Sequence, residues 1–337
     1  MIVCLYGATC AAFVEPVAIE LELLGDTLDA DIRRVTIERA LGEPWHWRAA
    51  ERVYVLPFDV PRTLPEDYPN SPGLLMRKLF PHAEIVNGFN AHELCWDKIA
   101  TSQRLLARGV PVPDTLISDA PDEVLSFIRE HEYAVLKAPR SCGGEGHLVV
   151  CSDDDGSIVG ETRGRRYLVE LDPQATQRQL AAGVLTCPPP YYLQRLIVGA
   201  GRRGVLRPPQ VLRAYVVGGQ LMFWTERYRD RCQRLSDFII NVGLGAKYRF
   251  LPHVSEEANK IALRAAEVLD VRIGVVDVVR AGGEGPYVLE VDTDGYHMLI
   301  DRQFKMMPEF RSTYDFDAFI AEHLAAPPLE TGTRVLG

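Results

Sequence analysis

The chain alternates short apolar runs with longer stretches of helical period. Near its start, "IVCLYG" and "RVYVLPF" are rich in β-branched and aromatic residues, whereas "EPVAIELELLG" spaces its apolar positions for one helix face. Residues 1–90 therefore read as a small α/β lobe, with the Pro-rich "PFDVPRTLPEDYPNSPG" as a surface loop. A helix is predicted from about Trp96 to Ala107, closed by Gly109 and followed by a Pro-limited extended segment. A second α/β unit occupies residues 91–196 and contains "DEVLSFIREH", "YAVLKAP", "HLVVCS", "RYLVEL" and "YYLQRLIVG". A third, residues 197–337, starts with "QVLRAYVVGGQLMFWTERY", a hairpin turning at Gly218 and Gly219. The helix "SEEANKIALRAAEVLD" follows, with Ser255 as N-cap and glutamates in its first turn. There is no internal repeat and no low-complexity tract.

The pattern is broken most sharply in "VVDVVRAGGEGPYVLEVDTDGYHMLI", residues 275–300, which sets Asp277, Glu290, Asp292 and Asp294 among Val, Leu and Tyr. Two β-branched runs around "AGGEGP" read as a hairpin. If Ala281 pairs with Pro286 around a four-residue loop, Asp277 falls opposite Glu290, and Glu290 shares a face with Asp292 because strand side chains alternate. Three carboxylates meeting on one face repel one another unless a positive group sits among them. A hard divalent cation satisfies this, and Mg²⁺ held by a few carboxylates together with phosphate oxygens points to a nucleotide. The bland alternative is a solvated strand edge whose acids face water.

Composition narrows the partners. Across 337 residues, 37 basic and 46 acidic side chains give a net charge of -9, with no basic tail, which argues against a nucleic-acid partner. The apolar start "MIVCLYG" is too short to span a bilayer and lacks a basic n-region and a cleavage site. Seven scattered cysteines (Cys4, Cys10, Cys95, Cys142, Cys151, Cys187, Cys232), with no C-x-x-C pair, suit reduced thiols in the cytoplasm. No membrane partner and no structural zinc are expected, and a homo-oligomer is left open.

Seven segments in order resemble the ATP-grasp superfamily, in particular the ligases similar to ribosomal-protein S6 modification enzymes and glutathione synthetase. They are "DK" (Asp97, Lys98) before a helix and "GVPVPDT", then "VLKAPRSCGGEGHLVV", "YLQRLIVG", "LRAYVVGG", "ERYR", "IINVGLGA", and "VVDVV" with "LEVD", and the match as a whole covers roughly residues 85–320. The resemblance implies an α/β protein of ATP-grasp fold: an N-terminal pre-ATP-grasp lobe, a central lid lobe and a C-terminal α+β lobe. It implies ATP with Mg²⁺ or Mn²⁺, and ligation of a carboxylate to an amine, on a small molecule or a peptide, through an acyl phosphate. Lys98 and Lys137 would reach the phosphates, and Gly143, Gly144 and Gly146 would fold over them. Gln194, Arg195 and Leu196 would form the hinge strand against adenine. Arg213, Arg227 and Asn241 would act at the reacting centre, with Asp277, Glu290 and Asp292 on the metal.

Two departures touch that site. The family usually reads Glu-x-Asn followed by Pro-Gly at the metal strand, whereas this chain reads "EVDTDGYH"; its lysine strand reads "KAP" where Lys-Pro is commoner. The altered acceptor strand keeps a phosphotransferase in view, and a nucleotide-binding regulator without turnover is the third reading. "RYRDRCQR" is a candidate anion pocket for an acidic substrate. No Ser-His-Asp or Cys-His arrangement emerges, and none is needed for carboxylate activation, so Cys142 is incidental despite its place in the glycine loop.

Overall fold

The structure is a computed structural model, and it describes residues 1–8, 11–56, 72–141, 146–200, 206–229, 232–240, 245–293 and 315–327. Its first sheet is parallel, in the order Ile32–Thr36, Ile2–Tyr6, Arg52–Val55, Glu84–Val86. These short apolar strands are buried, and the helix Ala11–Thr27 covers one face of the sheet with Val14, Val17, Ala18 and Leu21.

The middle sheet runs Gln179–Ala181, Val184–Cys187, Arg165–Leu171, Ile158–Thr162, Leu148–Ser152, Ala134–Lys137, Tyr191–Arg195, Thr115–Ser118. Alternation along it divides the work. Ala134, Leu136, Leu148 and Val150 pack against Val124 and Ile128 of the helix Pro121–His131, whereas Val135 and Val149 face the other way.

The third sheet is antiparallel, in the order Lys247–Leu251, Gln220–Tyr228, Gln210–Val217, Ile273–Ala281, Glu284–Asp292. Leu212, Ala214, Val216, Val276 and Val278 bury one face under the alanines of the helix Glu256–Val268, capped by Ser255 as expected. The helices Phe89–Trp96 and Lys98–Ala107 join this same core through Ala91, Cys95 and Leu105. On the opposite face Tyr215 stacks on Phe223, with centroids 4.2 Å apart, and Phe316 of the helix Phe316–Ala325 meets Tyr215 edge-on at 5.2 Å. That last helix also touches the first sheet. Its C-terminal carbonyls at His323, Leu324 and Ala326 accept from the buried Arg52 guanidinium at 2.9, 2.6 and 2.9 Å.

Two expectations need correction. The predicted helix from Trp96 to Ala107 begins only at Lys98, because Asp97 takes extended backbone (φ -91°, ψ 98°) and its carboxylate accepts from Ala100 N–H at 3.0 Å as an N-cap. The acidic hairpin does not turn on four residues: Ala281 pairs with Glu284 around Gly282 and Gly283, both at positive φ (59° and 95°) as a tight two-residue turn requires. Two register shifts along the pair then bring Asp277 opposite Glu290 after all. Among the described residues no helix is long and apolar enough to cross a membrane.

Candidate functional site

A cleft lies between the open faces of the middle and C-terminal sheets, and its two ends differ in chemistry. One end is an apolar slot lined by Val135, Leu196, Ile197, Val211, Ile240 and Val279. The other carries Lys98, Lys137, His147, Arg227, Asp277 and Glu290. The division follows from strand alternation. Along Ile273–Ala281, Val275 belongs to the aromatic core, Asp277 to the charged band and Val279 to the slot, all on one face.

Arg213 lies directly opposite Asp277, and Asp277 opposite Glu290, so a cation and two carboxylates stand in one row across the sheet. Arg213 grips Asp277 with both arms of its guanidinium, Nε to Oδ1 at 2.7 Å and Nη2 to Oδ2 at 2.8 Å, and reaches Asp292 at 3.3 Å. Arg227 Nη2 adds a second contact to Asp277 Oδ2 at 2.6 Å. Lys98 Nζ pairs with Glu290 at 2.6 Å and donates to Ser141 O at 2.6 Å, so it bridges the two walls. The carboxylates are therefore not a solvated edge, since Asp277 is only 3% exposed. Ligand atoms of Asp277, Glu290 and Asp292 all lie within 4.8 Å of one another.

Burial pushes the Asp277 carboxyl up to about 6 against the pull of Arg213. For Glu290 burial acts in the same direction but is outweighed by Lys98, Lys137 and Arg213, which hold it below the usual glutamate value. Burial drives Lys137 down to about 8, with Glu290 opposing and Lys98 adding to the fall.

The remaining expected residues are placed as follows. Lys137 is buried, donates to Gln194 Oε1 and stands 5.8 Å from the Tyr192 ring centroid. Gln194 thus positions Lys137 with its side chain and also donates to Thr115 Oγ1 at 3.3 Å. The backbone N–H groups of Arg195 and Leu196 are already committed, to Asp114 O at 2.8 Å and Tyr133 O at 3.1 Å, so these two donors are not open to a ligand edge. Gly146 has φ +70°, and a Cβ there would lie 3.1 Å from Ala138 Cβ. Gly143, Gly144 and Asn241 fall outside the described residues, as do Arg231 and Asp230 of the proposed anion pocket; Arg229 in that stretch pairs with Asp237 at 3.5 Å.

Sequence reasoning missed four contributors. Phe238 and Ile239 help wall the slot, and His147 lines the charged end. His92 is buried between Val55 O, at 2.8 Å from Nε2, and Thr293 Oγ1, at 2.6 Å from Nδ1, and so ties the first sheet to the residue after Asp292. Burial lowers its pKa to about 4, so it is neutral. Only His147 carried a signal in the sequence, by ending the glycine-rich loop.

Two sheets facing one another across a cleft, with a separate parallel α/β lobe in front, define the ATP-grasp fold, and the chain has that fold. A solved structure of the ATP-grasp ligase PsnB complexed with a minimal precursor superposes with a TM-score of 0.59 at 16% identity, over 96% of this chain and 98% of that one. The same ligase with minimal precursor, Mg and ADP gives 0.57 at 16% identity, over 96% of each chain. Among curated proteins the chain is 30% identical over 199 residues to a "Probable alpha-L-glutamate ligase" of Xylella fastidiosa (strain M12), covering 58% of this chain and 54% of that protein. It is 25% identical over 219 residues to the tetrahydromethanopterin:alpha-L-glutamate ligase of Methanocaldococcus jannaschii, covering 65% of each. The chain thus spans about half to two thirds of the length of these relatives. No family model matches it.

Proposed function

We propose that the protein is an ATP-dependent carboxylate–amine ligase, with the nucleotide in the cleft between the middle and C-terminal lobes. The observation that carries the reading is a buried guanidinium donor left without a partner, Arg227 Nε, and an unpartnered ring nitrogen, His147 Nε2, both on the cleft's charged wall beside Lys98 and Lys137. A guanidinium N–H can only donate, so beside two lysines it calls for an acceptor-rich anion, and the adjoining apolar slot suits the flat face of a base. The oxygen-only set of Asp277, Glu290 and Asp292 fits a hard divalent cation, Mg²⁺ or Mn²⁺, which when bound would neutralise phosphate charge.

The chain's own residues divide the remaining tasks. Lys98 and Lys137 hold phosphate oxygens; Arg227 stabilises charge that grows on a transferring phosphoryl group; Arg213 acts through Asp277 and Asp292, which it orients. Gln194 keeps Lys137 aimed. Arg195 and Leu196 border the slot that takes the base, and Gly146, at positive φ, allows a close approach to Ala138 that a side chain would crowd. A carboxylate is a poor electrophile, so a phosphoryl group must first convert its oxygen into a leaving group before an amine attacks. The curated relatives' names support glutamate as one substrate, and the PsnB structure with a precursor peptide supports a peptide as the other. The cytoplasm, where ATP is abundant, is the proposed setting, in keeping with free thiols at Cys4, Cys151, Cys187 and Cys232.

Hydroxylamine tests the reaction class. With ATP, Mg²⁺ and a carboxylate substrate drawn from cell extract, the protein should yield a hydroxamate in proportion to ADP. ADP formed with a stable phosphoester and no hydroxamate would replace the ligase by a phosphotransferase.

A further inference from the structure

His147 has no place in the metal or arginine networks, yet its position is tightly set. It stands one residue before the strand Leu148–Ser152, whose last ladder pair with the lysine strand is Leu136 with Leu148. The next step of that antiparallel register puts His147 across from Lys137, and residues directly opposite share a face. Lys137 in turn lies opposite Tyr192. A row His147, Lys137, Tyr192 therefore crosses the floor of the cleft. His147 is 9% exposed and lines the charged end, and its Nε2 has no hydrogen-bond partner. A buried ring nitrogen left unpaired by the protein is unfavourable, so a ligand atom that bonds it there would satisfy it.

We propose that His147 is a nucleotide-contacting residue, whose Nε2–H donates a hydrogen bond to a phosphoryl oxygen held by Lys137. The proposal rests on the nucleotide reading above. A phosphoryl oxygen only accepts, so it selects the imidazole form with the proton on Nε2. Burial first, then the charges of Lys137, Lys98 and Arg178, holds the His147 pKa well below the ordinary value, so the ring is neutral before the anion arrives. A neutral donor beside Lys137 avoids a further cation in a cleft where lysine is already depressed. It also gives the site a directional contact that two flexible lysines lack.

Titration calorimetry with Mg-ADP and with adenosine tests this on wild type, His147→Phe and His147→Gln, each verified as folded by thermal melt. Phe keeps the ring's bulk without a donor; Gln returns a donor near the position of Nε2. His147→Phe should weaken Mg-ADP by about tenfold or more, the scale of a hydrogen bond to a charged group. Adenosine affinity should stay within about twofold, and His147→Gln should recover part of the ADP loss. Equal weakening of ADP and adenosine would make His147 a structural residue, and unchanged ADP affinity would remove the contact; either result overturns the proposal while leaving the nucleotide site standing. Failure of wild type to bind ADP or ATP would instead overturn the nucleotide reading together with the proposal. Should the Phe variant not fold, ¹⁵N-histidine spectra of wild type decide: the Nε2 signal of His147 should move with Mg-ADP and not with adenosine, and an equal response to both would count against the contact.

Discussion

Lys137→Met tests the electrostatics of the cleft without relying on any substrate. Lys137 is 8% exposed, and burial holds its pKa near 8, below the ordinary 10.5. A depressed lysine opposes folding when charged: the penalty is full below pH 8, shrinks as pH rises through the folded value and vanishes above 10.5. At roughly 1.4 kcal/mol per tenfold, it amounts to about 3 kcal/mol at pH 7. Methionine matches the apolar stem and removes the charge, but leaves Gln194 Oε1 without its donor, which costs about 1 to 3 kcal/mol. The difference at any one pH is therefore a near cancellation, and the slope is the diagnostic quantity. From pH 7 to pH 9 wild type should gain about 1 kcal/mol relative to Lys137→Met, a shift of about 1 to 2 °C in the Tm difference. Saturating Mg-ADP should flatten that slope in wild type by supplying counter-charge. Paired thermal and urea melts at the two pH values measure it. A difference independent of pH, or one moving the opposite way, would refute a charged lysine held in a low-dielectric cleft.

Asp292→Asn keeps an oxygen in nearly the same place and should lower ADP release by about tenfold, about 1.4 kcal/mol in barrier, whereas Asp292→Ala and Glu290→Ala should each cost at least about a hundredfold, roughly 2.7 kcal/mol; a steady-state assay across a Mg²⁺ titration separates them. Asp97→Ala removes the N-cap of the helix that carries Lys98 and the longer of two ion pairs of Arg140, at 3.3 Å, and should cost about 1 kcal/mol of stability in urea melts while raising the KM for ATP. His92→Phe leaves Val55 O and Thr293 Oγ1 without the imidazole, so it should lower stability by about 2 to 3 kcal/mol, seen as an earlier urea midpoint.

Much of this site is local and therefore legible. Lys137 in an apolar strand, and Asp277, Glu290 and Asp292 in another, stand out because charge in a buried run needs a reason. The face they share follows from alternation. What supplies the counter-charge was harder to read, because Arg213 meets Asp277 across 64 residues and Lys98 meets Glu290 from a helix outside the hairpin. A cation was inferred from the acids alone, whereas two arginines and a lysine already stand among them, with oxygens still gathered as a metal requires. The hairpin shows a different limit. Asp277 was expected opposite Glu290 through a four-residue loop, and the same pair arises from a two-residue glycine turn plus two register shifts that no local pattern announces. The place of His147 at the end of the glycine-rich loop was visible, but its meaning depends on register with Lys137, which the sequence nearby does not announce.

The central claim is that the cleft joins a carboxylate to an amine at the expense of ATP, and the mass of the product tests it most directly. Incubating the protein with ATP, Mg²⁺ and fractionated cell extract should release ADP and phosphate and produce a new species whose mass is the sum of two extract components less one water, absent with Glu290→Ala. A product heavier than one component by a phosphoryl group, or no ADP from any fraction, would contradict the account.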